Sequence, residues 1–381
     1  MFIDCVYKAL RTPKEIQKTL EILTEADMLS GDSSVIQLYE KNLSYYFNTK
    51  HAIAVSSGTA ALHASLLTVI KPGDEVLVPA ICVPMTVSAI LQAGGVPVFY
   101  DCSTNSFKPC QKDLDNKITQ KTRVLITVSM WGYRAIDSDI VAFCRQRSIT
   151  IIEDAAQSAG TDSLLGYEGT IGDIGCFSTH EFKLISTGEG GFILTNSDEY
   201  AEKIRSFTHI GFSQHHGGFG YTDGLNYKLS AFQAAVGIAQ LTSLDIKIQG
   251  REKRKTKWKA LLQPSRNIDF LGSDIMSRHN CYSLVCLLNE DTKFSGKELA
   301  NKLYSVGVNT DTYRYKNTIV SNYPYCQRFY SQPKYSGDNS IDFPNAASMV
   351  QRMLVLPCHE RVSVEAIHKA SQHIISFINE R

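Results

Sequence analysis

Three observations on this 381-residue chain predict an α/β fold: a mainly parallel central sheet with helices on both faces, plus a smaller C-terminal α/β domain. Strand-like and helix-like apolar runs alternate along most of the chain. The length exceeds that of one simple domain and suggests a large unit and a smaller one. Hydrophobic residues make up 43% of the chain, enough to fill a sizeable core.

In chain order, residues 52–55 read as the first strand. Ser56-Ser57-Gly58-Thr59 then turns into a helix marked by Leu62, Leu66 and Val69, which share one face. Pro72-Gly73-Asp74 stops that helix, and residues 76–78 form a short buried strand ending at Pro79. A helix over 86–94, strands over 96–100 and 124–128, a helix over 138–146 and a strand over 149–152 follow. Residues 192–195 form a strand directly after a Gly-rich turn. Phe232, Ala235, Val236, Ile238 and Leu241 give helical spacing over 230–244. The basic run 247–259 reads as a solvated helix connecting two domains, 1–250 (with an N-terminal helical segment) and 251–381. The second holds a strand over 282–288 and a final helix over 364–378. Residues 313–335, rich in Tyr, Asn and Pro, lack periodicity and read as a loop at an active-site mouth.

A formal net charge of +1 gives no reason to expect nucleic acid or an acidic membrane surface as partner. Residues 1–15 lack a signal-peptide core and no apolar run approaches membrane-spanning length, so a soluble cytoplasmic protein is expected. The ten cysteines include no CxxC pair and read as reduced thiols in packing positions. No Cys/His cluster has metal-ligand spacing, so no metal is expected, and His215-His216 reads as part of a loop.

The chemistry concentrates around Lys183. It follows Ser178 and Thr179 and precedes the turn Gly188-Glu189-Gly190-Gly191. Phe177 and Phe182 give it a buried surround, which favours the unprotonated amine needed to attack an aldehyde. Asp154 closes an apolar strand, where ligand sites of open α/β sheets gather. There it could pair with a protonated pyridine nitrogen, or simply cap a helix. Its neighbour Glu153 would point to the other side of the strand end. Ser57-Gly58-Thr59 sits at a strand-to-helix turn, where free N–H groups and the helix dipole suit a phosphate. An amine, an acid and a phosphate cradle are the parts that pyridoxal phosphate chemistry needs.

In order and spacing these blocks resemble the DegT/DnrJ/EryC1/StrS family of sugar aminotransferases, fold-type I pyridoxal-phosphate enzymes. The resemblance is carried by Ala54-Val55-Ser56-Ser57-Gly58-Thr59-Ala60-Ala61-Leu62, Gly73-Asp74-Glu75-Val76, Ile152-Glu153-Asp154-Ala155-Ala156-Gln157-Ser158, the Lys183 block, Gly224-Leu225-Asn226-Tyr227-Lys228-Leu229-Ser230 and Leu356-Pro357-Cys358-His359. It implies that Lys183 carries pyridoxal 5′-phosphate and that Asp154 holds the pyridine nitrogen. Gln157 would sit against the ring or its hydroxyl, and Gly58, Thr59 and Ser178 would bind the phosphate. Asn226 would reach the phosphate in the neighbouring subunit of a homodimer. The implied reaction moves an amino group from an amino acid, glutamate or glutamine, to a keto-sugar, nucleotide-linked, or to a similar cyclic ketone. The alternatives are a sugar dehydratase, whose relatives carry His in place of the lysine, and a non-enzymatic sensor of the same fold. Three positions depart from the family pattern: Val83 where a stacking aromatic is usual, Lys228 where Arg is frequent, and Ser129 where His is frequent. Arg314, Lys316 and Arg328 are candidates to meet a phosphate or sugar, or are plain surface.

Overall fold

The strands, in chain order, are β1 (His51–Val55), β2 (Glu75–Pro79), β3 (Val96–Tyr100), β4 (Thr122–Val128), β5 (Thr150–Asp154), β6 (Asp162–Ser163), β7 (Gly166–Tyr167), β8 (Ile174–Ser178), β9 (Gly191–Thr195), β10 (Ile268–Phe270), β11 (Ser283–Leu288) and β12 (Met353–Pro357). The computed structural model describes residues 1–213, 215–220, 222–272, 278–315 and 318–379.

Seven strands form the central sheet in the order β1-β9-β8-β5-β4-β2-β3. β3, β2, β4, β5 and β8 run parallel, whereas β9 is antiparallel to both β8 and β1. The exception has a simple cause. The segment 179–190 returns from β8 to β9 without a crossover helix, and a parallel neighbour would need one. β8 was not anticipated from the sequence. Ile174, Gly175, Cys176 and Phe177 are all buried, so no polar–apolar alternation marks it. Phe177 of β8 stacks on Phe192 of β9 with ring centroids 4.4 Å apart, locking the hairpin into the core.

This topology brings several chain turns to one edge of the sheet. β1 is followed by Ser57, β2 by Val83 and β4 by Ser129, while β5 ends on Asp154 and β8 on Ser178. The helix Gly58–Val69 starts at that edge and buries Ala60, Ala61, Leu62, Ala64 and Leu66.

A second, antiparallel sheet, β10-β11-β12, is backed by the helix Val364–Asn379. Ala366, Ile367, Ala370, Ile374 and Ile378 form its buried stripe, at helical spacing. Trp258 and Leu262 pack in the same cluster, and so does Ile3 from the start of the chain.

Two expectations need correction. The basic run 247–259 is part of the helix Leu244–Leu262, but it is not a wholly solvated face. Arg251 is buried, bound bidentately to Glu360 at 2.9 and 3.1 Å, with its guanidinium 4.5 Å over the Tyr7 ring. Charge runs conceal such a residue because pairing, not composition, decides whether an arginine can be buried. The described residues of the segment 313–335 are not an irregular loop. They hold the end of the short helix Asp311–Tyr315 and the whole of the helix Pro324–Tyr330, the latter opened by Pro324 at its first position. Cys326, Tyr330 and Tyr335 are buried in the main core. The Tyr335 hydroxyl takes the Phe99 N–H at 2.7 Å, so these tyrosines serve as core residues with a polar end. Among the described residues, no helix is long and apolar enough to cross a membrane.

Candidate active site

A cavity of about 270 Å³ opens at the sheet edge where these turns meet. Six of the sequence-predicted site residues line it: Gly58, Thr59, Asp154, Gln157, Ser178 and Lys183. Asn226 does not; it is exposed, bridged to His209 in a separate segment. A larger groove of about 980 Å³ runs beside β1, but it contains none of those seven residues, so the chemistry assigns the smaller cavity.

One end of the cavity is a helix start. Ser57 caps the helix Gly58–Val69, its hydroxyl accepting from Ala60 N–H at 3.0 Å. The Gly58 and Thr59 amides lie in the first turn, where the helix offers no acceptor. Gly58 is needed for close approach: a Cβ there would lie 2.8 Å from Ser178 Cβ. Gly191 is pressed from the other side, since its Cβ would meet Phe177 O and the Ser57 carbonyl carbon at 2.6 Å. The packing thus holds the Ser178 hydroxyl beside the helix start.

Asp154 lies along the cavity floor and is almost fully buried. Its Oδ2 accepts from the buried Thr86 hydroxyl at 2.7 Å and its Oδ1 from Ala156 N–H at 3.2 Å. Burial pushes its carboxyl pKa up; these two donors and the charge of Lys183 pull it back. Gln157 is oriented by the backbone. Its Oε1 accepts from Trp131 N–H at 2.7 Å, so its NH₂ is the end left for the cavity. Trp131 itself has φ 52°, a strained left-handed conformation that this bond helps hold.

Lys183 sits in the turn between β8 and β9, its N–H bonded to His180 O at 2.9 Å. It keeps some solvent contact because the cavity admits water, yet protein encloses it. Burial lowers its amine pKa to about 8; Asp154 opposes this shift, Arg314 adds to it, and Asp311 also opposes it. The loop is anchored outside the cavity by Glu181, which pairs with Arg11 at 2.7 Å.

The neighbouring Glu153 turns away from the cavity. Its carboxylate accepts N–H bonds from Gly169, Ile171 and Gly172 at 2.6–2.8 Å. Burial and the nearby Glu168 raise its pKa. Glu168 in turn accepts from the Ser129 hydroxyl at 2.7 Å, fixing one wall.

Of the departures noted in the sequence, Val83 and Ser129 line the cavity. Lys228 lies elsewhere and pairs with Asp32 at 3.4 Å. Arg314 is in the cavity wall, whereas Arg328 is exposed, over the Phe329 ring at 4.7 Å; Lys316 lies outside the described residues. Sequence reasoning missed Thr86, His180, Glu189 and Tyr282. Thr86 follows Pro84 just after a strand end, which is a detectable signal. Tyr282 carries none, since only the packing of the second sheet brings it here.

Residues 11–374 match the DegT/DnrJ/EryC1/StrS aminotransferase family. The chain is 27% identical over 377 residues to GDP-perosamine synthase of Escherichia coli O157:H7, covering 99% of each chain. It is 30% identical over 367 residues to the spore coat polysaccharide biosynthesis protein SpsC of Bacillus subtilis, covering 92% of this chain and 90% of that one. In fold it is similar to DesI, solved in the presence of its TDP-sugar product, with a TM-score of 0.87, 20% identity and coverage of 99% and 93%. It is likewise similar to the B. subtilis protein ntda with bound cofactor PMP, with a TM-score of 0.83, 24% identity and coverage of 97% and 83%. The chain belongs to the DegT/DnrJ/EryC1/StrS aminotransferase family and is an aminotransferase.

Proposed function

We propose that the cavity binds pyridoxal 5′-phosphate and that the protein moves an amino group from an amino acid, glutamate or glutamine, to a nucleotide-linked keto-sugar in amino-sugar biosynthesis. The observation that carries this reading is the meeting of Lys183, Asp154 and the Gly58–Thr59 helix start in one cavity. The names of the perosamine synthase and of DesI with its TDP-sugar product support the acceptor class.

The residues fit the cofactor. The helix start and the Ser178 hydroxyl form a donor-rich cradle with no room for a side chain at position 58, as a phosphate requires. When bound, the cofactor supplies an aldehyde for the donor's amine and a ring that stores electrons. Asp154, kept towards its ionised form by Thr86, Ala156 and Lys183, would hold a proton on the ring nitrogen. The Gln157 NH₂ would donate to a ring oxygen. Lys183 would carry the cofactor and then move a proton at its Nζ. With a pKa of about 8, both its forms are populated near neutral pH, which suits a group acting as base and then as acid. Asn226, exposed and outside its own cavity, would serve the site of a second protomer in a homodimer.

Reduction with borohydride after adding pyridoxal 5′-phosphate should fix the cofactor mass on the Lys183 peptide. Uptake by the apo-protein should quicken as pH rises towards about 8 and level off above, because the neutral amine attacks. Lys183→Ala should show neither covalent uptake nor amine transfer. Labelling at another lysine, or full transfer by Lys183→Ala, would end this reading.

A further inference from the structure

Asn280 stands just ahead of β11, the middle strand of the second sheet, and is fully buried. Its side-chain NH₂ donates to Gln157 O at 2.9 Å and to Ala159 O at 3.1 Å. Its Oδ1 accepts from Tyr282 N–H at 3.0 Å. Its own N–H donates to Thr161 Oγ1 at 3.1 Å, and the Thr161 hydroxyl donates to Gly132 O at 2.9 Å. Two carbonyls facing one NH₂ fix the way the amide points, because a flipped amide would set three oxygens together. Aspartate could not replace it, having no proton for either carbonyl when ionised.

These bonds converge on one contact in the cavity, the bond from Trp131 N–H to Gln157 Oε1 at 2.7 Å. Asn280 grips the Gln157 main chain directly. Through Thr161 it grips Gly132, the residue after Trp131. Trp131, at φ 52°, is strained and persists only because its surroundings hold it. Gly132 leaves the close approach open, since a Cβ there would collide with Asn280 Oδ1. A glutamine side chain loses rotamer freedom when it is aimed, so both partners of the aiming bond need fixed places. We infer that Asn280 is a positioning residue: from the second sheet it holds the donor and the acceptor of the bond that turns the Gln157 NH₂ towards the cofactor's ring oxygen. The inference rests on the proposed function.

A donor on the ring oxygen favours the form in which that oxygen carries its full charge, the high-pH form. Loss of the donor therefore raises the pH midpoint of the bound cofactor's absorbance change. Gln157→Leu should raise it by about half to one pH unit, the size of one lost hydrogen bond. Asn280→Ser should raise it by a comparable amount and weaken cofactor retention. In a Gln157→Leu background, Asn280→Ser should move the midpoint no further. Thr161→Val, which removes the hydroxyl at little change of shape, should act as Asn280→Ser does, and Thr161→Ser should restore the wild-type midpoint. This second pair reads the same link if Asn280→Ser fails to fold. An unchanged midpoint in either variant that folds would overturn the inference while Lys183 labelling stands. So would an equal shift with and without Gln157, which marks a general loosening of the fold. A Gln157→Leu protein with the wild-type midpoint would overturn it too, since Gln157 then meets no ring oxygen. A wild-type protein that takes up no pyridoxal 5′-phosphate would overturn the proposed function and this inference together.

Discussion

At the scale of single residues, Asp154 depends on Thr86. A buried carboxylate tends towards its neutral form, and a hydroxyl donating at 2.7 Å favours the charged one. Valine has the shape of threonine without the hydroxyl, so Thr86→Val removes the bond and little volume. A hydrogen bond to a charged group contributes about 1.5–3 kcal/mol, which corresponds to a fall in turnover of roughly 10- to 100-fold. The absorbance of the bound cofactor should also change its pH dependence, and Thr86→Ser should restore both. A valine variant with the wild-type spectrum across pH and full turnover would show that Thr86 only fills space. Thr86 could have been suspected from its place after a strand end; that it faces Asp154 could not, because 68 residues separate them and sheet order alone brings them together.

At the scale of elements, the helix Leu244–Leu262 shows how a charge pattern misleads. The basic run 247–259 read as solvated, yet Arg251 lies on the face packed against the C-terminal residues. Its side chain is 1% exposed and that of Glu360 17%, so the pair is shielded from water. Arg251→Met would leave Glu360 with an uncompensated, partly buried charge and should destabilise the protein by about 3 kcal/mol. A lower urea midpoint would report this. The double variant Arg251→Met, Glu360→Leu should recover most of the loss, since no orphaned charge remains. If the double variant is as unstable as the single one, packing against Tyr7 matters more than charge. The turn between β8 and β9 makes the opposite point. Its Gly-rich end and its lysine were legible from local sequence, because a tight turn and a close approach demand residue types that few other roles share.

At the scale of the whole molecule, the helices Pro13–Thr24 and Ala231–Leu241 present an apolar face. Ile16 is 49%, Leu20 60% and Phe232 53% exposed, and Ile16 and Leu20 flank Val236 in a shallow depression. We propose this face as the seat of a second copy of the chain. The expected homodimer would cover it, and sedimentation should give about twice the 42.4 kDa chain mass. Leu20→Asp with Phe232→Asp should shift the protein to monomer and weaken cofactor retention if Asn226 serves the second site. A double variant that stays dimeric would place the interface elsewhere.

The alternation of strands and helices, the lysine turn, the strand-end aspartate and the Ser-Gly-Thr helix start were settled by the sequence itself. Each rests on local periodicity or on a residue type that its backbone position demands. Tertiary structure alone decided the rest: the antiparallel β9, the orientation of the Gln157 amide by the Trp131 N–H, the hold of Thr86 on Asp154, and the arrival of Arg314 and Tyr282 beside Lys183. These depend on which distant segments the sheet order sets side by side. No local pattern encodes that, because the energy of each contact appears only once both partners are in place.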